Sequence, residues 1–165
     1  MPQTIEIPAC LREFLSRLYP DIDVDSLAFH NGVPRYANPG GAITIGSHIY
    51  FREHRTDWCS GDDVALAAHE LYHVHQGSAA PGVWFLRPFY ARYVWHLLRS
   101  GLTTGLQHPL EAPAYELQDR VKEQYDRAAA ASGVNGPCAC ENGAPGGMNQ
   151  AFFEAFFADW PGLDG

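Results

Sequence analysis

His69, Glu70 and His73 stand in the order H-E-x-x-H, with Leu71 and Tyr72 between them. On a helix, residues four apart share a face, so the two imidazoles can grip one cation, for which zinc is the expected ion. Glu70 follows the first imidazole directly. From there its carboxylate can reach a water on the ion without being a ligand, which is the position of a general base. The chemistry this spacing would support is hydrolysis: the ion brings its water to a pKa of about 7, and Glu70 takes the proton and passes it to a leaving amine.

The elements that must position these groups can be read outward from the motif. Ser60 and Asp63 fit an acidic variant of the capping box, and Val64-Ala65-Leu66-Ala67-Ala68 is a run of apolar helix formers. With Gly77 as a stop, the spacing predicts a largely buried helix from about Asp62 to Gln76. A catalytic site needs a third protein ligand and an open position for water. Glu111 is the favoured third ligand. Pro113 is tolerated only in a first helical turn, so a helix starting near Leu110 or Glu111 and running through Ala130 sets Glu111 at its beginning. Glu116, His108 and a cysteine of the C-terminal region stay open as alternatives. Tyr115 shares a face with Glu111 and is favoured over Tyr90 and His108 as the hydrogen-bond donor to a developing oxyanion. Asp119 and Glu116 are available to orient the imidazoles. His75 should point away from the ion.

Ala68-His69-Glu70-Leu71-Tyr72-His73-Val74-His75-Gln76 resembles the H-E-L-x-H-V-x-Q signature of the small metallopeptidase-like core domain found in bacterial extracellular contractile injection system gene clusters. That domain belongs broadly with the gluzincins, the H-E-x-x-H plus Glu zinc peptidases. Pro109-Leu110-Glu111, followed by Ala114-Tyr115, is similar to the N-P-x-E-x-E-A pattern of such proteins, with His108 in place of the Asn and Pro113 in place of the second acid. The resemblance spans residues 42–125. It implies His69, His73 and Glu111 as zinc ligands and Glu70 as catalytic base. It also suggests that a sheet edge before the zinc helix takes up substrate backbone. The expected fold is α+β: a mainly helical, zincin-like domain with a small sheet beside the H-E-x-x-H helix.

Elsewhere, Pro8 to Tyr19 reads as a helix with an apolar stripe of Leu11, Phe14, Leu15 and Leu18, stopped by Pro20. Val24 to His30 reads as a strand. Asn31-Gly32-Val33-Pro34 and Asn38-Pro39-Gly40-Gly41 are turn signals. Ala42 to Phe51 reads as extended, with a hairpin near Gly46-Ser47. Val83 to Arg99 is aromatic and helical from about Arg87. Residues 1–132 are expected to form the zincin-like domain and the Gly/Pro-rich residues 133–148 a linker. Residues 149–161 are expected to form an aromatic amphipathic helix docking on the same domain. Its Phe152, Phe153, Phe156, Phe157 and Trp160 fall on one helical face, which must be covered by the chain's own core, a partner protein or the zinc cleft.

The net charge of -8, with 11 Lys plus Arg and no basic cluster, excludes nucleic acid as an expected partner. No apolar run is long enough for a membrane span. Met1-Pro2-Gln3-Thr4-Ile5-Glu6 lacks the basic start and apolar core of a signal peptide, so the cytoplasm is the default location, with signal-independent export as the alternative. There Cys10, Cys59, Cys138 and Cys140 are expected as thiols. Cys138 and Cys140 are too close to bond each other, but the pair could bond Cys59 in an exported protein, or bind a metal. Two functions compete: zinc-dependent hydrolysis of a peptide or protein substrate, and an inactive zinc-stabilised scaffold whose aromatic C-terminal helix holds a partner.

Overall fold

The computed structural model describes residues 2–34, 41–52, 58–78, 91, 95, 108–141 and 144–163. Helix α1 (Ala9–Leu18) buries Cys10, Leu11, Phe14, Leu15 and Leu18, the stripe expected from its spacing. Asp23 then accepts a hydrogen bond from the Asp25 N–H, and Val24–Ser26 form a 3-10 turn. The expected strand over Val24–His30 is therefore corrected: β2 begins only at Ala28 and runs to Asn31. The reason is local, because an Asp side chain bonded to the backbone two residues on competes with an extended chain.

The sheet is mixed, in the order β1-β2-β4-β3. Strand β1 (Gln3–Ile5) pairs antiparallel with β2, β2 runs parallel to β4 (His48–Phe51), and β4 is antiparallel to β3 (Ala42–Ile45). The hairpin falls at Gly46, whose φ of 65° favours glycine there. Strands β1 and β3 are the outer strands of the sheet among the described residues, and β3 packs against the long helix α2.

Helix α2 (Gly61–Ser78) contains the whole H-E-x-x-H motif. The Ser60 hydroxyl accepts from the Asp62 N–H at its start, which is the capping role its type predicts. Gly77 lies inside the helix rather than beyond it. Helix α3 (Ala112–Ser132) follows Glu111, carries Pro113 in its first turn, and ends at Gly133 in the left-handed conformation, φ 71°. Helices α2 and α3 pack against each other, and Tyr125 of α3 lies against the start of α2. Its ring lies so near Gly61 that a Cβ there would come within 2.8 Å of it. Its hydroxyl donates to the Cys59 carbonyl at 3.0 Å.

The Gly/Pro-rich segment read as a linker carries two antiparallel strands, β5 (Cys138–Glu141) and β6 (Ala144–Met148). Two disulfides hold this ribbon, Cys10–Cys138 to α1 and Cys59–Cys140 to the start of α2. The expected free thiols are thus corrected. Cross-links impose an extended ribbon on residues that would form one poorly alone. Helix α4 (Gln150–Ala158) follows, with Phe152, Phe153 and Phe156 buried. These rings surround Phe14 of α1 at centroid distances of 6.3, 6.0 and 4.8 Å. Gln124 of α3 donates to the Phe156 carbonyl, and Arg120 donates to the carbonyl of Gly162. The aromatic stripe therefore packs into the chain's own core. The fold is α+β: four α-helices, the mixed sheet and the ribbon among the described residues. The aromatic segment Val83–Arg99 lies almost wholly outside the described residues, as does Asn38-Pro39-Gly40.

Candidate metal centre

The site is built from one face of α2 and the turn that opens α3. His69 and His73 sit one helical turn apart, both buried, with their Nε2 atoms 3.2 Å from each other. Glu111 reaches in from the other segment, its Oε2 lying 3.5 Å from His69 Nε2 and 3.4 Å from His73 Nε2. A four-coordinate ion about 2.0–2.1 Å from such donors would space them about 3.3–3.4 Å apart, so the triangle already has the size a metal requires. Among the described residues this is the one group of three or more His, Cys, Asp or Glu side chains that could hold a metal ion.

Of the four sequence candidates for the third ligand, the structure brings Glu111 to the histidines. Cys138 and Cys140 are consumed in disulfides. His108 is fully buried and shapes the turn instead: its carbonyl accepts from the N–H groups of Glu111 and Ala112, and its Nδ1 accepts from the Leu110 N–H. Glu116 is not in the cluster.

Charge within the cluster is strongly coupled. Burial opposes the Glu111 carboxylate, but its bonds to His69 and His73 outweigh that and hold its pKa far below the usual carboxylate range. Burial likewise opposes a charge on His73, yet the bond to Glu111, the Glu70 and Glu111 charges and the bond to Gln76 leave its pKa raised. A proton on His73 therefore does in the metal-free chain what a cation would do: it neutralises Glu111.

Glu70 is buried at 3 % exposure and takes no place in the triangle. Burial pushes its pKa up, against the pull of His73, a bond from Thr44 and His69; the Glu111 charge adds to the rise. Thr44 comes from β3, and its hydroxyl lies 2.7 Å from Glu70 Oε2 and 3.0 Å from the Glu70 carbonyl. Outer strand β3 is thereby tied to the carboxylate beside the triangle. Tyr115 lies edge-on against His69, ring centroids 4.7 Å apart. Its pKa is raised by burial and by the charges of Glu111 and Glu70.

Two residues beside the cluster had no role assigned from the sequence, although Gln76 fills the last position of the H-E-L-x-H-V-x-Q signature. Thr44 carries no local signal, because β3 meets α2 only in the folded chain. Gln76 could have been found by its i+3 spacing from His73. It is the Gln76 side chain, rather than Glu116 or Asp119, that meets an imidazole of the cluster, with Oε1 3.0 Å from His73 Nδ1. His69 Nδ1 is buried without a hydrogen-bond partner among the described residues. His75 ends on a different face, with its ring near Tyr19 and Tyr72.

No curated protein and no solved structure matches the chain. A family model does match, over residues 9–81, fewer than half of the 165. The matched stretch runs from α1 through β2, β3, β4 and α2, so it includes His69, Glu70 and His73 and stops short of both β1 and Glu111. Over that stretch the chain is similar to the eCIS core domain.

Proposed function

We propose that this chain is a zinc-dependent peptidase of the gluzincin type, with His69, His73 and Glu111 as metal ligands and Glu70 as general base. The observation that carries the reading is the buried Glu70 carboxylate, set beside the three-ligand triangle yet left out of it. A scaffold site needs only ligands. A hydrolytic site needs, in addition, a base next to an open coordination position. Two imidazoles and one carboxylate form a donor set that suits catalytic zinc.

Zinc held there supplies Lewis acidity and an acidified water. The rest falls to the chain's own side chains. Thr44 fixes the Glu70 carboxylate by donating to Oε2. Glu70, raised in pKa by burial, accepts a proton from the nucleophilic water and returns it to the leaving amine. Tyr115, a phenol protonated at neutral pH, donates a hydrogen bond to the oxygen on which negative charge develops. Outer strand β3, bonded to the base through Thr44, offers backbone groups to an extended peptide. The net charge of -8 favours cationic or neutral peptides.

Two disulfides support an oxidising working compartment over the cytoplasm. No described helix is long and apolar enough to cross a membrane. The similarity to the eCIS core domain supports a protein partner. The aromatic face of α4 is a poor candidate for holding it, since Phe152, Phe153 and Phe156 are spent on Phe14.

The deciding experiment combines metal analysis with a peptide library. The native chain should bind one zinc and hydrolyse peptides. Glu70→Gln should keep the metal and lose about 10²–10⁴-fold in rate, the range general-base catalysis supplies. Retained zinc with no hydrolysis by the native chain, together with a large fall in Tm on chelation, would establish the scaffold reading instead.

A further inference from the structure

One side chain joins the helix that carries the ligand pair to the turn that carries the third ligand. Gln76 lies one turn beyond His73 on α2. Its Oε1 is 3.0 Å from His73 Nδ1, and its Nε2 donates to the Leu110 carbonyl at 3.1 Å. Leu110 immediately precedes Glu111.

The direction of these two bonds follows from what each atom can do. A backbone carbonyl only accepts, so the Leu110 oxygen requires the NH₂ end of the amide. That leaves the carbonyl end of Gln76 facing His73 Nδ1. An amide oxygen also only accepts, so Nδ1 must carry a hydrogen. In the neutral imidazole the lone pair is then on Nε2, the atom directed at His69 and Glu111. The reverse amide orientation would set two acceptors 3.1 Å apart at Leu110. A backbone carbonyl one residue before the third ligand thus selects the tautomer of the second.

We propose that Gln76 is the positioning residue of the metal site, fixing the metal-binding tautomer of His73 and the separation of α2 from the Glu111 turn through a single amide. The proposal rests on the metal reading above and goes beyond it, because it assigns affinity to a residue that touches no ion. His69 is the internal contrast: its Nδ1 has no hydrogen-bond partner among the described residues. The tautomer of His73 is therefore set from its Nδ1 side by Gln76, while His69 has no such bond at Nδ1 among the described residues.

The test uses the full chain with its disulfides intact. Zinc affinity is measured by competition with a chromophoric chelator, and the histidine tautomers by long-range ¹H–¹⁵N correlation of the metal-free protein at a pH where His73 is neutral. Gln76→Met keeps the volume and removes both bonds. It should weaken zinc binding by about 10- to 100-fold, the range for removing an outer-shell partner, and His73 should become a mixture of Nδ1–H and Nε2–H forms. Gln76→Glu keeps an acceptor for Nδ1–H but sets a carboxylate against the Leu110 carbonyl. It should preserve the tautomer and still lose affinity, which separates the two roles and serves if Gln76→Met does not fold. Affinity within about twofold of the native chain in both variants, or an unchanged His73 tautomer in Gln76→Met, would overturn the proposal while leaving the metal site standing. A native chain that takes up no zinc would instead remove the metal reading itself.

Discussion

Glu111 and His73 hold opposite charges most readily as a pair: the carboxylate pKa lies far below its usual range and the imidazole pKa is raised. Below the raised imidazole pKa, the metal-free site carries a proton that an incoming cation must displace. Metal binding should therefore release at least one proton, and affinity should fall as the pH is lowered. Calorimetry in two buffers of different ionisation enthalpy reads this release directly; no buffer dependence near pH 6 would contradict the ion-pair description. Thr44 makes a second prediction at this scale. Thr44→Val keeps the shape and removes the donor to Glu70 Oε2. A bond to a charged group contributes about 1.5–3 kcal/mol, so hydrolysis should slow by about 10- to 100-fold, with zinc content unchanged in metal analysis.

Helices α2 and α3 must keep a fixed separation, because the ligand pair stands on one and Glu111 opens the other. Tyr125 sets part of that separation, with its ring against the bare backbone of Gly61. Gly61→Ala would drive a methyl to within 2.8 Å of the ring. Ring or helix must move, at a cost of about 1–3 kcal/mol. Denaturant unfolding of the metal-free chain should show that loss. Zinc affinity should fall as well, since the shift is transmitted to the distance between the helices. The legibility of the elements followed the range of the interactions that form them. The α1 stripe and the α2 motif recur within one turn, and both helices appear within one or two residues of where their spacing put them. The 3-10 turn at Val24 was missed because the bond from the Asp25 N–H to the Asp23 side chain competes locally with an extended chain. The ribbon of β5 and β6 was missed because its composition argues for a loop, while in the fold it is tied by bonds to Cys10 and Cys59 and by pairing between its own strands.

At the scale of the molecule, the two disulfides close loops of very different origin. Cys10–Cys138 spans 128 residues and ties α1 to the ribbon, while Cys59–Cys140 spans 81 and ties the ribbon to the residue before the α2 cap. Replacing Cys59 and Cys140 by Ser should cost about 2–4 kcal/mol, measured by urea unfolding against the native chain under oxidising conditions. A variant as stable as the native protein would mean that packing of Phe152, Phe153 and Phe156 around Phe14 already holds the C-terminal segment in place.

The placement of three of the candidate site residues was set locally. His69, Glu70 and His73 lie within five consecutive residues, so helical geometry alone aligns the two imidazoles and offsets the carboxylate. Pro113 likewise confined the start of α3 to the neighbourhood of Glu111, because a ring without an N–H is tolerated only there. Whether Glu111 would meet the histidines, and what would hold Glu70 and His73 in place, was settled by packing between segments far apart in the chain. Glu111 lies 38 residues beyond His73 and Thr44 lies 26 before Glu70. Contacts at such separation depend on how α2 seats against α3 and β3, which no periodicity within a single element can encode.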